Sequence, residues 1–144
     1  MNCQESYLEN EVMSLNREEL ITFTYRGLVR YLKNAADATR QGEVERRVDL
    51  LNRSMAVISY LRSILDMERG GEISQRLAAL YDYSLKELVA AGFTTQAEPI
   101  EGVEKLMREL LSGWEEMSRR NYGSPSIPRE ERGYASGNRL EIVG

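Results

Sequence analysis

Side chains that usually carry catalysis are scarce in this sequence. Histidine is absent, and Cys3 is the sole cysteine among 144 residues. Without histidine the chain cannot build Ser-His-Asp or Cys-His nucleophile systems, and it lacks the imidazole ligand of most zinc sites. A single thiol cannot form an internal disulfide. We therefore expect no enzyme activity, no metal site and no other cofactor.

Carboxylates are numerous, but their spacing indicates solvated helix surfaces rather than an acid–base pair. The adjacent pairs are Glu18-Glu19, Glu115-Glu116 and Glu130-Glu131. Adjacent side chains diverge around a helix, and acid–base catalysis needs a carboxylate desolvated in a cleft. Asp82 differs because it lies within an apolar stretch. Two interpretations of Asp82 stay open: a structural bond to arginine or tyrosine, and a polar contact in a recognition groove.

Tyrosine dominates the aromatic residues, with eight tyrosines against two phenylalanines and one tryptophan. Tyrosine joins an apolar ring to a polar tip and is enriched at protein interfaces. Six of the tyrosines precede or fall within the helical part of the chain: Tyr7, Tyr25, Tyr31, Tyr60, Tyr81 and Tyr83. An interface and an ordinary core with polar-tipped rings are both compatible with this composition.

Length and charge restrict the class of protein. The length fits one domain, and 42% apolar with 29% charged residues is typical of a globular chain. The net charge of −4 argues against a nucleic-acid-binding protein. No apolar run approaches the ~20 residues of a membrane span, so we expect no membrane insertion. The first residues lack the pattern of a signal peptide, and none is expected.

Helical spacing of apolar residues repeats in four segments. It predicts helices at about 17–40, 43–67, 72–91 and 99–120, with Asn16 as the first N-cap and glycines at the connections. In the second helix we expect one stripe at Val44, Val48, Leu51, Met55, Ile58 and Leu65, and another at Leu50, Val57, Leu61 and Ile64. Helices of similar length with short connections predict an all-α, antiparallel up-down-up-down four-helix bundle.

The segments outside the helices predict three parts of the chain. Residues 1–15 form an apolar N-terminal arm that packs on the bundle, and residues 16–120 form the bundle itself. Residues 121–144 are rich in Gly, Ser and Pro, which predicts a disordered tail. Gly27 lies inside the first predicted helix; either another segment approaches its backbone, or its cost of about 1 kcal/mol is tolerated.

Several groups of residues resemble the FliS family of flagellar secretion chaperones, over roughly residues 7–117. The leading group is Tyr7-x4-Val12-x-Ser14, Leu20-Ile21 and Tyr25-x-Gly27, and the central one is Leu61-x3-Leu65-Asp66-x-Glu68-x-Gly70-Gly71-Glu72-Ile73. The most specific group is Leu77-x2-Leu80-Tyr81-Asp82-Tyr83-x4-Leu88-x2-Ala91, and Trp114 matches a tryptophan of the last helix. The chain departs from the family pattern at Asn16-Arg17, Arg26 and Gly92.

The resemblance implies an export chaperone of the bacterial cytoplasm. Such a chaperone binds the C-terminal segment of flagellin, with an expected 1:1 stoichiometry, and prevents premature polymerisation. It then assists delivery to the flagellar type III export apparatus. In this family the client wraps around the bundle largely as helices, and the N-terminal segment can occupy part of the groove when the client is absent.

The resemblance and the apolar stripes together lead to site predictions. We expect the client-binding groove at Tyr25, Val57, Leu61, Tyr81, Asp82 and Tyr83, and an N-terminal cover at Tyr7 and Val12. An alternative function is a self-associating helical adaptor, in which the second apolar stripe contacts another helical partner.

Overall fold

The computed structural model describes residues 17–122, with side chains described as far as residue 120. Four helices fill this range: α1 (Arg17–Gln41), α2 (Val44–Ser63), α3 (Gly71–Ala91) and α4 (Glu98–Tyr122). No strand occurs among these residues, and the predicted all-α class is confirmed. The predictions for the arm with Tyr7 and Val12, for the Asn16 cap and for the tail beyond 122 lie outside the described residues.

The helices form an antiparallel bundle in which each helix packs against two others. α1 contacts α2 and α4, and α3 completes the ring by contacting the same two helices. The α1–α4 contacts pair Arg26 with Glu115 and Arg40 with Glu101, so the residue order on one helix opposes that on the other. The predicted up-down-up-down arrangement is therefore confirmed, and its connections contain two to seven residues.

The prediction for the end of α2 is wrong by about one helical turn. The helix ends at Ser63 rather than near residue 67. The Asp66 carboxylate accepts hydrogen bonds from the backbone N–H groups of Glu68 and Arg69, at 3.2 and 2.9 Å. This local bonding competes with continued helix. The chain re-enters helix at Gly71, whose φ of +54° lies in the left-handed region that favours glycine.

The other end of the bundle is held by Arg47 of α2. Its guanidinium donates to the Ala91 carbonyl at 3.3 Å and also to the Thr94 carbonyl. These are carbonyls at and beyond the end of α3, where helices leave acceptors without internal partners. The α3–α4 connection is thereby attached to α2, although Phe93 within it is 88% exposed.

The buried face of α2 lies between the two predicted apolar stripes and includes residues of both. Val44 and Val48, which belong to the first predicted stripe, are exposed. The centre of this face includes Ser54, which is fully buried because its hydroxyl donates to the Leu50 carbonyl at 2.8 Å. A serine bonded to its own helix can replace an apolar residue at a core position, and apolar spacing alone misses it.

Tyr25 and Tyr81 are the largest fully buried side chains of the core. They lie on the diagonal helices α1 and α3, and their hydroxyls hydrogen-bond to each other. Burial raises the pKa of both phenols, so both stay protonated. No buried side-chain nitrogen or oxygen within residues 17–120 lacks a hydrogen-bond partner.

The hydroxyl pair generates a stability prediction. Tyr25→Phe should lower the free energy of unfolding by about 1–3 kcal/mol, because the Tyr81 hydroxyl is left buried without that partner. Tyr25→Phe/Tyr81→Phe should cost less than the sum of the single changes. Urea unfolding followed by circular dichroism measures both, with exposed Tyr60→Phe as control. Strictly additive costs would contradict the coupling.

Candidate functional site

An apolar groove opens between the first half of α3 and the last half of α4. Its volume is about 260 Å³. Seven residues line it, and Glu109 is the charged member: Ile73, Leu77, Glu109, Leu110, Gly113, Trp114 and Met117. Ile73 is 52% exposed, whereas Leu77 one turn later is buried. The groove therefore exposes apolar side chains that rest directly on the core.

Trp114 connects this groove to the centre of the bundle. Its ring lies 6.4 Å from that of Tyr25, tilted by 42°, a separation typical of favourable aromatic pairs. Tyr25 in turn contacts Tyr81 on α3. Hydrogen bonding from Tyr81 and Trp114 partly opposes the rise that burial causes in the pKa of Tyr25. The wall of the groove is thus supported by the core, which favours a preformed binding surface.

Gly113 gives the groove part of its depth. A Cβ placed on Gly113 would meet no atom within 4 Å, so packing within residues 17–120 does not require glycine there. A glycine inside a helix costs about 0.5–1 kcal/mol relative to alanine. Glycine would be favoured here if another backbone approached this part of α4 closely.

The residues predicted to form the client groove occupy three environments. Tyr25, Leu61 and Tyr81 are 0–1% exposed and belong to the core. They offer no solvent-facing surface, because each packs towards the centre of the bundle. Val57 is half-buried at the edge of the core. Tyr25, Leu61 and Tyr81 therefore pack beneath the surface and do not line it.

Asp82 and Tyr83 are exposed on α3, away from the apolar groove. They border an open depression that we call the Tyr83 surface, which shares no lining residue with the groove: Ala79, Asp82, Tyr83, Leu85, Lys86 and Val89. Tyr83 and Val89 are 55% and 52% exposed. The predicted site residues are consequently divided between the core and this second surface.

Asp82 of α3 forms an ion pair with Arg62 of α2. Arg62 Nε and Nη2 donate to the two carboxylate oxygens at 2.9 and 3.3 Å. These hydrogen bonds lower the pKa of Asp82 and raise that of Arg62. The structural interpretation of Asp82 therefore holds in this structure, and Asp82 does not point into the apolar groove.

Sequence reasoning missed the groove-lining group of Ile73, Trp114 and Met117 as a surface. Helical spacing alone does not distinguish a core position from an exposed one on the same apolar stripe. Gly113 was a usable signal, because it interrupts α4 directly before its tryptophan. A Cβ placed on Gly27 would meet no atom within 4 Å, so no helix of the described bundle approaches that glycine.

A family model described as "Flagellar protein FliS" matches residues 1–121 of the chain. The chain belongs to the FliS family. FliS is a chaperone family, and the match ends close to the end of α4. It therefore includes the apolar groove and the segment preceding α1, and it leaves the last part of the chain outside.

Curated FliS proteins from several bacteria resemble the chain over most of its length. The flagellar secretion chaperone FliS of Salmonella typhimurium is 33% identical over 112 residues, covering 77% of this chain and 83% of the relative. That of Escherichia coli is 30% identical over 116 residues, covering 76% and 81%. The flagellar secretion chaperone FliSB of Pseudomonas aeruginosa is 30% identical over 115 residues, covering 80% and 91%.

Neither a metal-binding cluster nor a membrane-spanning helix occurs within the described part of this FliS chain. Across residues 17–122 no group of three or more Cys, Asp or Glu side chains could hold a metal ion. The helices α1–α4 contain no stretch apolar enough to span a membrane. The groove between α3 and α4 has the form that suits contacts with other polypeptides.

The Asp82–Arg62 pair generates a pH prediction. Arg62→Gln should raise the pKa of Asp82 towards its ordinary value of 3.8, because the charged donor is lost. In the unchanged protein the pair favours the folded state above pH 3.8, and this contribution disappears as pH falls through the lowered folded pKa. NMR titration of the Asp82 carboxyl measures the shift, with Arg76→Gln as control. Identical curves with and without Arg62 would show that the pair does not form in solution.

Proposed function

We propose that the chain is a flagellin export chaperone that acts in the bacterial cytoplasm without catalysis. It binds the C-terminal segment of flagellin as a 1:1 complex, prevents premature polymerisation and assists delivery to the flagellar type III export apparatus. Membership of the FliS family supports the chaperone role. The observation that carries the proposal for this chain is the exposed apolar groove between α3 and α4.

The groove suits the apolar side chains of a helix better than a small molecule. Its volume of about 260 Å³ is below the ~300–1,000 Å³ typical of small-molecule sites. A helical client inserts anchor residues at i, i+3 or i+4 and i+7 into such a surface. The exposed Ile73 at one edge and Trp114 on the facing helix would contact anchors from both sides.

The N-terminal segment is proposed as the cover of this groove. α1 begins at the end of the bundle where α4 ends, in keeping with the contact of Tyr25 with Trp114. The segment of 16 residues that precedes α1 could span roughly 50 Å if extended, enough to reach the groove from there. Tyr7 and Val12 would supply its apolar contacts. A client helix that binds more strongly would displace them.

Reversible binding is compatible with this architecture because the bundle core is complete without a client. Tyr25, Tyr81 and their neighbours are buried by the chain's own helices. A client that folds on binding loses about 2–5 kcal/mol to ordering, which limits the net affinity. Release at the export apparatus would then leave a folded chaperone.

Two equally exposed aliphatic positions on α3 allow a matched test of the client surface. Ile73 in the apolar groove and Val89 on the Tyr83 surface are both 52% exposed. Ile73→Asp should weaken binding of the host flagellin C-terminal segment at least ~30-fold, since a charge enters an apolar contact worth about 2 kcal/mol. Val89→Asp should leave binding within a few-fold. Isothermal titration calorimetry measures both.

The outcomes of this test separate the alternatives. Loss of binding with Val89→Asp and not with Ile73→Asp would place the client on the Tyr83 surface, which includes the predicted Asp82 and Tyr83. No binding by the unchanged, folded protein would refute the flagellin proposal. A strongly negative heat-capacity change in the unchanged protein would support burial of apolar client surface.

Removal of residues 1–14 tests the cover separately. We expect the shortened protein to bind the flagellin segment more tightly, because no competing segment must leave the groove. The Ile73→Asp change should remove this gain. Calorimetric titration of both proteins provides the comparison, with circular dichroism to verify that the helical content is retained. Unchanged or weaker binding would argue against Tyr7 and Val12 as a cover.

Self-association is the second candidate function, favoured by exposed apolar residues at the opposite end of the bundle: Val44, Val48, Val89 and Phe93. Arg47 holds the α3–α4 connection against α2, so these residues lie on elements that contact each other. Light scattering over a series of protein concentrations distinguishes self-association from the role of a flagellin export chaperone. A dimer that forms with concentration and is lost in Phe93→Ser would support an adaptor.

A further inference from the structure

Glu109 is the charged residue among those that line the apolar groove, and its side chain is exposed. It forms no ion pair with another residue of the described range. By contrast, the preceding Glu104 bonds to Arg108 at 3.1 Å, and the following Glu116 bonds to Arg120 at 2.8 Å. The α4 wall of the groove therefore carries one negative charge that no ion pair compensates.

Two basic side chains of the same helices do not neutralise Glu109. Lys105 lies one turn before it on α4 but lines a different groove, between α1 and α4. A lysine four residues before a glutamate is also the weaker order for a helical ion pair. Arg76 lies three residues after Ile73 on α3, and its guanidinium donates to Glu72 at 2.7 Å. The charge of Glu109 is therefore available to a segment bound in the groove.

Glu109 lies about two helical turns from Met117 along the groove, a distance of about 12 Å, and Gly113 lies midway between them. These three residues share one face of α4, because they are spaced four residues apart. A helix bound along this face presents its own side chains with the same spacing. Two apolar anchors beside Met117 and Gly113 would place a third side chain, one turn further along, beside Glu109.

The segment proposed to cover the groove carries charge of the same sign as Glu109. Residues 1–16 contain neither lysine nor arginine, and their carboxylates are Glu5, Glu9 and Glu11. The last two lie between Tyr7 and Val12 in the sequence, so docking of those two side chains would hold carboxylates near the groove. Exposed charges repel each other within the screening length, which is about 8 Å at physiological salt. Glu109 therefore opposes occupation of the groove by this segment.

We propose that Glu109 makes the apolar groove select a client helix with a basic side chain over the chain's own acidic N-terminal segment. This inference rests on the proposed function, because it concerns the same groove and the same cover. A lysine or arginine of the client, one turn beyond two apolar anchors, pairs with the Glu109 carboxylate when the helix is bound. The displaced segment forms no such pair and is repelled. The net charge of −4 also attracts a basic client at longer range.

The selectivity is measured with two alanine-based helical peptides that differ in one residue. Each carries two leucines one turn apart and, one turn further, either lysine or glutamate. Both sequence orders are made, so that helices parallel and antiparallel to α4 are tested. Each peptide is titrated into the full-length protein, with the fluorescence of Trp114, the sole tryptophan, as the readout. The ratio of the two affinities excludes the contribution of the cover, because the N-terminal segment competes equally with both peptides.

The unchanged protein should bind the lysine peptide about 3–10-fold more tightly than the glutamate peptide. An exposed ion pair changes an affinity by a factor of about 1.5–5, and attraction of one peptide adds to repulsion of the other in the ratio. Glu109→Gln should bring the ratio close to about 1, and Glu109→Lys should invert it. Glu45→Gln is the matched control, because it changes the net charge equally at an exposed position in the first turn of α2, at the other end of the bundle. It should leave the ratio unchanged.

The effect on the cover is measured without any client. A nitroxide attached to Cys3, the sole cysteine, broadens the indole N–H signal of Trp114 in NMR spectra when the N-terminal segment lies in the groove. Glu109→Gln should increase this broadening at about 20 mM salt. The difference should shrink at about 200 mM salt, where the repulsion is screened. Glu45→Gln should give the same broadening as the unchanged protein.

Equal affinities of the two peptides for the unchanged protein would overturn the inference. So would a ratio that Glu109→Gln leaves unchanged or that Glu45→Gln changes equally. Broadening at Trp114 that is absent, or identical in the unchanged and Glu109→Gln proteins, would also overturn it. Both experiments report on the groove without flagellin. If they give the expected results and the host flagellin segment does not bind, the proposed function fails and the selectivity of the groove stands.

Discussion

The contact of Tyr25 with Tyr81 and Trp114 determines how the rest of the bundle can be used. It joins α1, α3 and α4 around one buried hydroxyl pair. Two large polar-tipped rings can be buried only if their hydroxyls find partners, and these two satisfy each other. Because the pair closes the centre of the core, the outer face of Trp114 is available to form the wall of a groove. Trp114 therefore contacts Tyr25 in the core and also lines the apolar groove.

The core of the bundle is complete without any partner. Four helices enclose the core. The apolar residues that stay exposed lie in separate surface patches, next to buried residues of the core. The half-exposed Ile73 beside the buried Leu77 illustrates this division within one turn of α3. Exposed apolar side chains cost solubility, and the high density of charged residues elsewhere on the helices offsets that cost.

Much of the fold could be predicted because it follows from local patterns. The helical spacing, the glycines at the connections and the short connections predicted four helices and their antiparallel order. Two features depended on hydrogen bonds that spacing does not encode. Asp66 ends α2 early, and Ser54 occupies a core position that neither predicted apolar stripe includes. The site was less predictable, since Tyr25, Leu61 and Tyr81 share helical stripes with surface residues and only packing shows that they are buried.

The glycines of α4 carry information that the apolar stripes do not. Gly102 and Gly113 are exposed on nearly the same face of α4, because eleven residues correspond to about three helical turns, and each has room for a methyl group within the described bundle. Both positions lower the stability of α4 without any packing requirement among residues 17–120. A helix that served only the core would gain from alanine at both positions. That neither is alanine is explained if another backbone approaches this exposed face of α4. On this argument the exposed face of α4 is open to a partner backbone, and the inward-facing Val103 and Met107 anchor the helix to the core.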